Sequence, residues 1–222
     1  MDKPVVYEEF DALGRLRSRC SMVDGVMHGL MERFGDNGGL EVQARFEQGE
    51  LHGPLKAFDH RGRPVQVAEF VQGRQHGLTR VYSDGRLLSE QSYVQGVLEG
   101  PTVTYDAGGQ PSCRMQYVKG ELQGTVEYLV EGCRVRTAQY KAGWLEGESL
   151  DFDAHGRVSQ SSHYVANRLD GWVRRYWPSG RLMEEVQYRQ GRPLGLARQF
   201  PDSATAAAGG WVPRLLSWLR GA

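Results

Sequence analysis

The stretch YSDGRLLSEQSYVQGVLEG (residues 82–100) contains every part of a pattern that recurs along this 222-residue chain. Tyr82 and Tyr93 lie on either side of Gly85, and a pair of glycines four residues apart, Gly96 and Gly100, follows. A period between about 20 and 50 residues is typical of a stacked array of repeats. The first glycine of the pair returns every 23 or 24 residues as Gly25, Gly49, Gly73, Gly96, Gly120, Gly143, Asn167 and Gly191, and the second as Gly29, Gly53, Gly77, Gly100, Gly124, Gly147, Gly171 and Gly195.

A second glycine lies 11 residues before each pair and is predicted to form a hairpin turn. Its neighbours, as in Asp36-Asn37-Gly38, are turn formers, and glycine supplies the positive φ that a tight hairpin needs. All one-residue length differences between repeats fall just before this glycine, where an extra loop residue shifts no strand register. The eight positions are Gly14, Gly38, Gly62, Gly85, Gly109, Gly132, Gly156 and Gly180.

Large side chains mark both arms of the predicted hairpin, and the stretches between them are too polar and too short for a core helix. We therefore predict an all-β fold: an elongated, open antiparallel meander of about eight hairpins, joined by the glycine pairs, with stacked aromatic ladders providing most of the burial. The first arm carries Phe10, Phe34, Phe58, Tyr82, Tyr105, Leu129, Phe152 and Tyr176, and the second carries Met22, Phe46, Phe70, Tyr93, Tyr117, Tyr140, Tyr164 and Tyr188.

The pattern ends near Phe200 and divides the chain into three predicted parts: the repeat array (1–200), a small-residue linker (201–210) and a C-terminal segment (211–222). Trp211, Leu215 and Trp218 recur at helical spacing, which predicts a short amphipathic helix. So short a helix must dock to be stable. It could cap the open end of the array, fold back over one face of the sheet, or bind a partner protein or a membrane surface.

Two segments carry a resemblance to a known family. Tyr82-Ser83-Asp84-Gly85-Arg86-Leu87, followed by Tyr93-Val94-Gln95-Gly96, resembles the MORN repeat in its bacterial variant, and residues 176–182 with 188–191 are similar. Asn167, Leu129 and Met22 depart from the pattern. The resemblance implies an open, elongated sheet with a protein-interaction role, and several bacterial relatives resemble antitoxin or immunity proteins that neutralise a toxin.

Composition and charge argue against several classes of protein. Lys+Arg and Asp+Glu are equal at 27 each, which disfavours a nucleic-acid binder. The N-terminus lacks an apolar signal core, and no segment approaches the ~20 apolar residues of a spanning helix, so a cytoplasmic location is expected. Cys20, Cys113 and Cys133 are odd in number and have no metal-site spacing, which disfavours a disulfide framework or zinc site.

The histidines and carboxylates do not predict a reaction centre. His28, His52 and His76 share one repeat position, but equivalent positions lie two strands apart, about 9–10 Å, which is too far to share one metal ion. The position continues as Glu99, Gln123, Glu146 and Asp170, so we interpret it as a polar surface position. Because no catalytic or phosphate-binding motif occurs, we expect neither catalysis nor a cofactor.

The predicted partner-binding residues are tryptophans and arginines that break the template, since both types are favoured at binding hot spots, together with the apolar stripe of the C-terminal segment. They are Trp144, Trp172, Arg174, Arg175, Trp177, Trp211, Leu215 and Trp218. Strand alternation should divide the cluster at 172–177 between the two faces, so that one face could present a Trp–Arg patch. The alternative is that Trp172 packs on the sheet and Trp177 shields the end of a hairpin. A further arginine series (Arg15, Arg63, Arg86, Arg157 and Arg181) could keep the turns soluble or bind an acidic partner.

The sequence therefore predicts a non-catalytic, cytoplasmic protein-binding repeat protein. The favoured role is a bacterial antitoxin or immunity protein that covers the active site of a toxin or secreted effector. The alternative is a scaffold that organises proteins or attaches them to a membrane surface. A hydrolase is the third hypothesis, disfavoured because an open sheet excludes water poorly.

Overall fold

The computed structural model describes residues 3–202, and these residues form one antiparallel sheet of 20 strands without a helix. The predicted helix at 211–222 and most of the linker lie outside the described residues. The strands are β1 Val5–Phe10, β2 Leu16–Val23, β3 Val26–Phe34, β4 Leu40–Glu47, β5 Glu50–Phe58, β6 Pro64–Val71, β7 Arg74–Gln75, β8 Gly77–Ser83, β9 Arg86–Val94, β10 Val97–Tyr105, β11 Pro111–Val118, β12 Glu121–Leu122, β13 Gly124–Val130, β14 Cys133–Lys141, β15 Trp144–Phe152, β16 Val158–Val165, β17 Arg168–Tyr176, β18 Leu182–Arg189, β19 Arg192–Pro193 and β20 Arg198–Gln199.

The strands follow one another in space as they do in sequence. Each pairs with the strand before it and the strand after it, and three strand positions are each occupied by two short segments: β7 with β8, β12 with β13 and β19 with β20. Strand β1 pairs only with β2, and β20 pairs only with β18, so the described sheet is open at both ends. The predicted all-β open meander is confirmed.

One long edge of the sheet, the turn edge, is built from two-residue turns at the glycine pairs. At Val94-Gln95-Gly96-Val97 the outer residues pair directly, and the two central φ angles are 52° and 83°. Positive φ at both central positions defines a type I′ turn, whose twist matches that of the strands it joins. Asn167 fits the same position with a φ of 65°, as an αL-tolerant residue should. The first glycine of each pair therefore lies within a hairpin turn, and the pair is not the connector between hairpins that the sequence analysis predicted.

The second glycine of each pair lies inside or beside the next strand, where the pairing register shifts. Gly100 has a φ of 102°, and a Cβ added there would lie 3.2 Å from the Cβ of Ser92. The register between β9 and β10 slips at this point, which is a β-bulge. Glycine is needed because the bulge requires both a positive φ and a close approach to the neighbouring strand.

The other long edge, the loop edge, absorbs the variation in repeat length. In a longer repeat, the Asp59 N–H donates to the Arg63 carbonyl (2.8 Å) and the Gly62 N–H donates to the Asp59 carbonyl (2.9 Å) across a three-residue loop. In a shorter repeat, Ser83 pairs directly with Arg86 across a two-residue turn. The position predicted for the extra residue is confirmed.

Small residues along the middle of one face form the most deeply buried row. Pairs such as Met31 with Ala44 and Val126 with Ala138 align this row, in which Ala44 and Ala68 are 0% exposed. The aromatic ladder that contains Tyr93 covers the row, and the Tyr93 hydroxyl donates to Gln91 (3.0 Å). We call this side the small-residue face. Its rings are half-buried, since a single-layer sheet leaves their outer surfaces in water, so the deepest burial belongs to small side chains.

The opposite side carries cross-strand ion pairs, and we call it the ion-pair face. Arg19 pairs with Glu32, Arg80 with Glu90 (2.8 Å) and Arg174 with Glu185 (3.3 Å). The ladder that contains Tyr105 lies on this face, and its hydroxyl donates to Glu90 (2.7 Å). The hydrogen bonds from Arg80 and Tyr105 lower the pKa of Glu90. The two aromatic ladders thus lie on opposite faces.

We predict that Gly100→Ala destabilises the fold by about 1–3 kcal/mol, because alanine would be forced to positive φ and against Ser92. Urea unfolding followed by circular dichroism measures the change. The matched control is Gly195→Ala, since a Cβ there meets no atom within 4 Å and its φ is not in the left-handed region. Equal unfolding midpoints for the two variants would contradict the bulge requirement.

Candidate functional site

Trp172 and Arg174 form a cluster on the ion-pair face of β17. Their side chains point the same way because they are two residues apart in a strand. The Arg174 guanidinium carbon lies 5.4 Å from the Trp172 ring centroid, a cation–π distance. Arg174 Nε also lies 3.3 Å from Glu185 Oε2, and Arg198 Nη1 lies 3.7 Å from Glu185 Oε1. The cluster therefore presents an ordered, half-buried indole between fixed charges.

Arg175 lies on the opposite, small-residue face. Its Nε donates to Gln160 Oε1 (3.1 Å), and its Nη1 lies 3.4 Å from Glu184 Oε1. The polar row continues through Gln160 to Asp151, which forms a two-point ion pair with Arg136 (2.6 and 3.1 Å). The sequence-predicted site is therefore divided, and Arg175 cannot belong to the same contact surface as Trp172.

Trp177 occupies the loop position that holds aspartate in four other long repeats, as Asp11, Asp59, Asp106 and Asp153, and glycine in a fifth, as Gly35. Its indole Nε1 donates to the Phe200 carbonyl (3.0 Å), just after the final strand β20. This bond gives Trp177 a structural role at the end of the sheet. Trp211, Leu215 and Trp218 lie outside the described residues.

Trp144 belongs to an apolar ridge that the sequence analysis did not identify. It begins β15 directly after a tight turn, pairs with Lys141 and is 55% exposed. Strand alternation places the ridge on the ion-pair face, which also bears Trp172. The ridge residues could have been found from the repeat pattern, because each directly precedes or follows the two central residues of a tight turn. The apolar ridge consists of Val94, Val97, Val118, Trp144 and Val165, each 41–55% exposed.

Three arginines that follow loop glycines, Arg15, Arg63 and Arg86, bind neighbouring loops together. Arg63 bonds through Nε to Asp59 Oδ2 (2.8 Å) in its own loop and through Nη2 to Asp84 Oδ1 (2.9 Å) in the next. Arg15 similarly donates to the Asp36 carbonyl of the next loop (2.9 Å). We therefore interpret this series as a structural staple along the loop edge.

Each loop aspartate in these staples has its negative charge stabilised by several donors. Asp59 Oδ1 accepts the backbone N–H groups of Arg63 and Arg61, both at 2.9 Å. These bonds, with the Arg63 side chain, lower the pKa of Asp59 to about 2. The backbone N–H of Arg157, followed by its side chain, lowers the pKa of Asp153 to about 2 in the same way.

The repeat position that holds His28, His52 and His76 in the early repeats has a structural function in later ones. Glu99 Oε2 accepts the Lys119 N–H (2.6 Å), Gln123 Oε1 the Ala142 N–H (2.9 Å) and Glu146 Oε2 the Ala166 N–H (2.8 Å). Each bond joins one tight turn to the next. His52 instead lies 3.4 Å from Glu47. Between residues 3 and 202 no three histidine, cysteine or acidic side chains come together in a way that could hold a metal ion.

Two shallow depressions lie in the described surface, and both are lined by a mixture of polar and apolar groups. One, of about 240 Å³, lies between loops near Glu9, Arg17 and Arg33, and the second, of about 330 Å³, lies beside Phe58 and His60. Both open to solvent at the loop edge. Within the described range no helix is long and apolar enough to traverse a bilayer.

Comparisons with known proteins do not identify the chain. No family model and no curated protein matches it. A crystal structure of a mutant of S. aureus TarM with fondaparinux, alpha-GlcNAc-glycerol and UDP is 15% identical, with 48% of this chain and 19% of that chain covered and a TM-score of 0.23. The TcdB2-TccC3 and TcdB2-TccC3-Cdc42 crystal structures are 12% identical, with 84% and 85% of this chain but 13% of those chains covered, at TM-scores of 0.17 and 0.16. Similarity at this level supports no conclusion about fold or function.

We predict that the Asp59 and Asp153 carboxyl groups titrate near pH 2 in the native protein. Because both values lie below the ~3.9 of an unfolded aspartate, the stabilisation is complete above about pH 5 and is lost as the pH falls through 4 toward 2. An NMR titration of the carboxyl carbons measures the values. Asp59→Asn keeps the loop acceptor but cannot ionise, so it should reduce the acid dependence of stability. A native titration near pH 4 would contradict the staple.

Proposed function

We propose that this chain is a non-catalytic protein-binding repeat protein of about eight MORN-type hairpins, which neutralises a toxin or secreted effector in the cytoplasm. The observation that supports the proposal best is the apolar ridge. It places exposed valines and Trp144 at the turn edge of the face that also bears the Trp172–Arg174 cluster. Repeat arrays commonly use such extended surfaces to bind proteins.

The chemistry of this face suits a protein partner. Exposed apolar patches rimmed by polar groups mark interaction sites, and tryptophan and arginine are enriched among hot-spot residues. The Arg174 side chain is already held by Glu185 and Trp172, which lowers the entropy cost of binding. A standard interface needs about 800 Å² on each partner, which several adjacent hairpins could provide.

Steric occlusion is the proposed mechanism. A stiff sheet laid over a toxin's active site would exclude its substrate, and the antitoxin would need no cofactor and no reaction of its own. The second candidate is a scaffold at a membrane surface, which is favoured by the Trp211, Leu215 and Trp218 stripe in the sequence. Liposome flotation that disappears on Trp211→Ala with Trp218→Ala would support the scaffold.

The first test is functional. The toxin gene beside this one, or the partner recovered by pull-down from the native organism, is co-expressed with the full chain. The proposal predicts that growth is restored. Absence of rescue together with absence of a stable complex would contradict the toxin-neutralising role.

We predict that Trp172→Ala and Trp144→Ala each weaken binding of the recovered partner by about tenfold or more, because each removes an aromatic anchor from the proposed interface. Isothermal titration calorimetry measures the affinity. Arg175→Ala is the matched control, since it removes a nearby side chain from the opposite face and should change affinity less than about twofold. A larger loss from Arg175→Ala than from Trp172→Ala would assign binding to the small-residue face.

A further inference from the structure

The two ends of the sheet differ in a way that suggests a second partner surface. Among the described residues, the last strand position consists of two-residue segments, β19 and β20, interrupted around Leu194 and containing Pro193. Short, broken and proline-containing edges resist strand addition. Strand β1 is continuous over six residues, and Val5, Val6 and Tyr7 are 51–58% exposed. It is therefore the end at which another strand can pair.

The backbone groups available on β1 follow from its loop. The Asp11 N–H donates to the Arg15 carbonyl, so it points toward β2. Because backbone direction alternates along a strand, Tyr7 and Val5 also bond toward β2, whereas Val6 and Glu8 point outward. The other end of the sheet shows the same alternation. Phe200 occupies the repeat position of Phe10, and its N–H donates to the carbonyl of Met183 in the preceding strand. The Phe10 N–H therefore points away from β2, as those of Val6 and Glu8 do.

We propose that two copies of this chain associate through their β1 strands, antiparallel about a two-fold axis through Val6. In this register each Val6 N–H donates to the Val6 carbonyl of the second copy, and each Glu8 N–H donates to a Pro4 carbonyl. Proline lacks an N–H, so Pro4 cannot donate in return to the Glu8 carbonyl of the second copy. This is the one bond of the register that is not made. Four main-chain hydrogen bonds extend the sheet across the axis.

The side chains of β1 are complementary to themselves in this register. Tyr7 is paired with Cys20 and so lies on the small-residue face, together with Lys3, Val5 and Glu9 by alternation. Lys3 of one copy then lies opposite Glu9 of the second, and Val5 lies opposite Tyr7. The two-fold axis repeats each of these pairs, so each occurs twice in the dimer. Opposite charges and apolar–aromatic pairs directly across strands are favourable. Sliding the pairing by two residues would place Glu9 opposite Val5 and lose the ion pair, so the charges select the register.

This association is independent of the proposed toxin-binding function, because β1 lies at the first end of the sheet and the apolar ridge begins at Val94. An edge of six residues buries less surface than a typical permanent dimer, so the association should depend on concentration. A dimer would present two ridges and could engage two partner molecules.

A cysteine placed on the two-fold axis tests the register. In the full chain with Cys133→Ser, Val6→Cys should form an intermolecular disulfide on mild oxidation, because a hydrogen-bonded strand pair has Cα atoms about 5.5 Å apart, within the range for a disulfide. Glu8→Cys is the matched control, since it faces Pro4 and not itself. Cross-linking of Val6→Cys no faster than that of Glu8→Cys would overturn the proposal.

Sedimentation equilibrium across a wide concentration range tests the association itself. Val6→Pro removes only the outward N–H and leaves the bonds to β2, so it should weaken dimerisation by about tenfold or more while circular dichroism stays unchanged. Lys3→Glu should weaken it, and Lys3→Glu combined with Glu9→Lys should restore it. A monomer at every concentration, or a dimer indifferent to Val6→Pro, would contradict pairing through β1.

Discussion

The backbone N–H of the second residue in each tight turn determines how the hairpins join. A two-residue hairpin turn uses the N–H groups of its flanking residues and leaves those of its two central residues without a partner inside the turn. Here the second one donates to a carbonyl beside the preceding turn: Gly49 to Met27 (2.8 Å), Gly191 to Leu169 (2.7 Å). In several repeats the first donates to a side chain that follows the preceding turn, as Ala142 does to Gln123. Successive turns are thereby joined into a continuous hydrogen-bonded edge.

This edge explains the constancy of the sequence pattern. A turn that must bond the previous turn tolerates no insertion beside it, whereas the loop edge is held by the longer and more adaptable arginine–aspartate contacts. An extra residue therefore appears only in the loops, as between the Asp59 loop and the turn at Gly85. Asn167 keeps the bonding between successive turns without a glycine. It adopts a positive φ, and its Oδ1 also accepts the Leu145 N–H (2.7 Å).

The period, the turn positions and the open sheet could be predicted from the sequence, because glycine spacing reports directly on backbone conformation. The assignment of faces was harder. Strand alternation correctly suggested that Arg174 and Arg175 would separate, but only the observed register shows that the two aromatic ladders lie on opposite faces. The apolar ridge was missed because an isolated valine beside a turn carries no signal until the turns are aligned. The structural role of Arg63 could not be predicted from the sequence, because it depends on how close the neighbouring loop lies in the folded sheet.

A rigid turn edge also bears on recognition, because it fixes the spacing of the ridge residues that flank each turn. Hydrogen–deuterium exchange, read by NMR at the turn amides, tests this account most directly. The N–H groups of Gly49, Gly96 and Gly191 should exchange slowly, although they lie at turns, because each is bonded to the preceding turn. Among residues 3–202, no turn at the turn edge precedes Gly25, so its N–H should exchange quickly. Exchange of all four amides at the rate of an open turn would contradict the coupling of hairpins on which the structure depends.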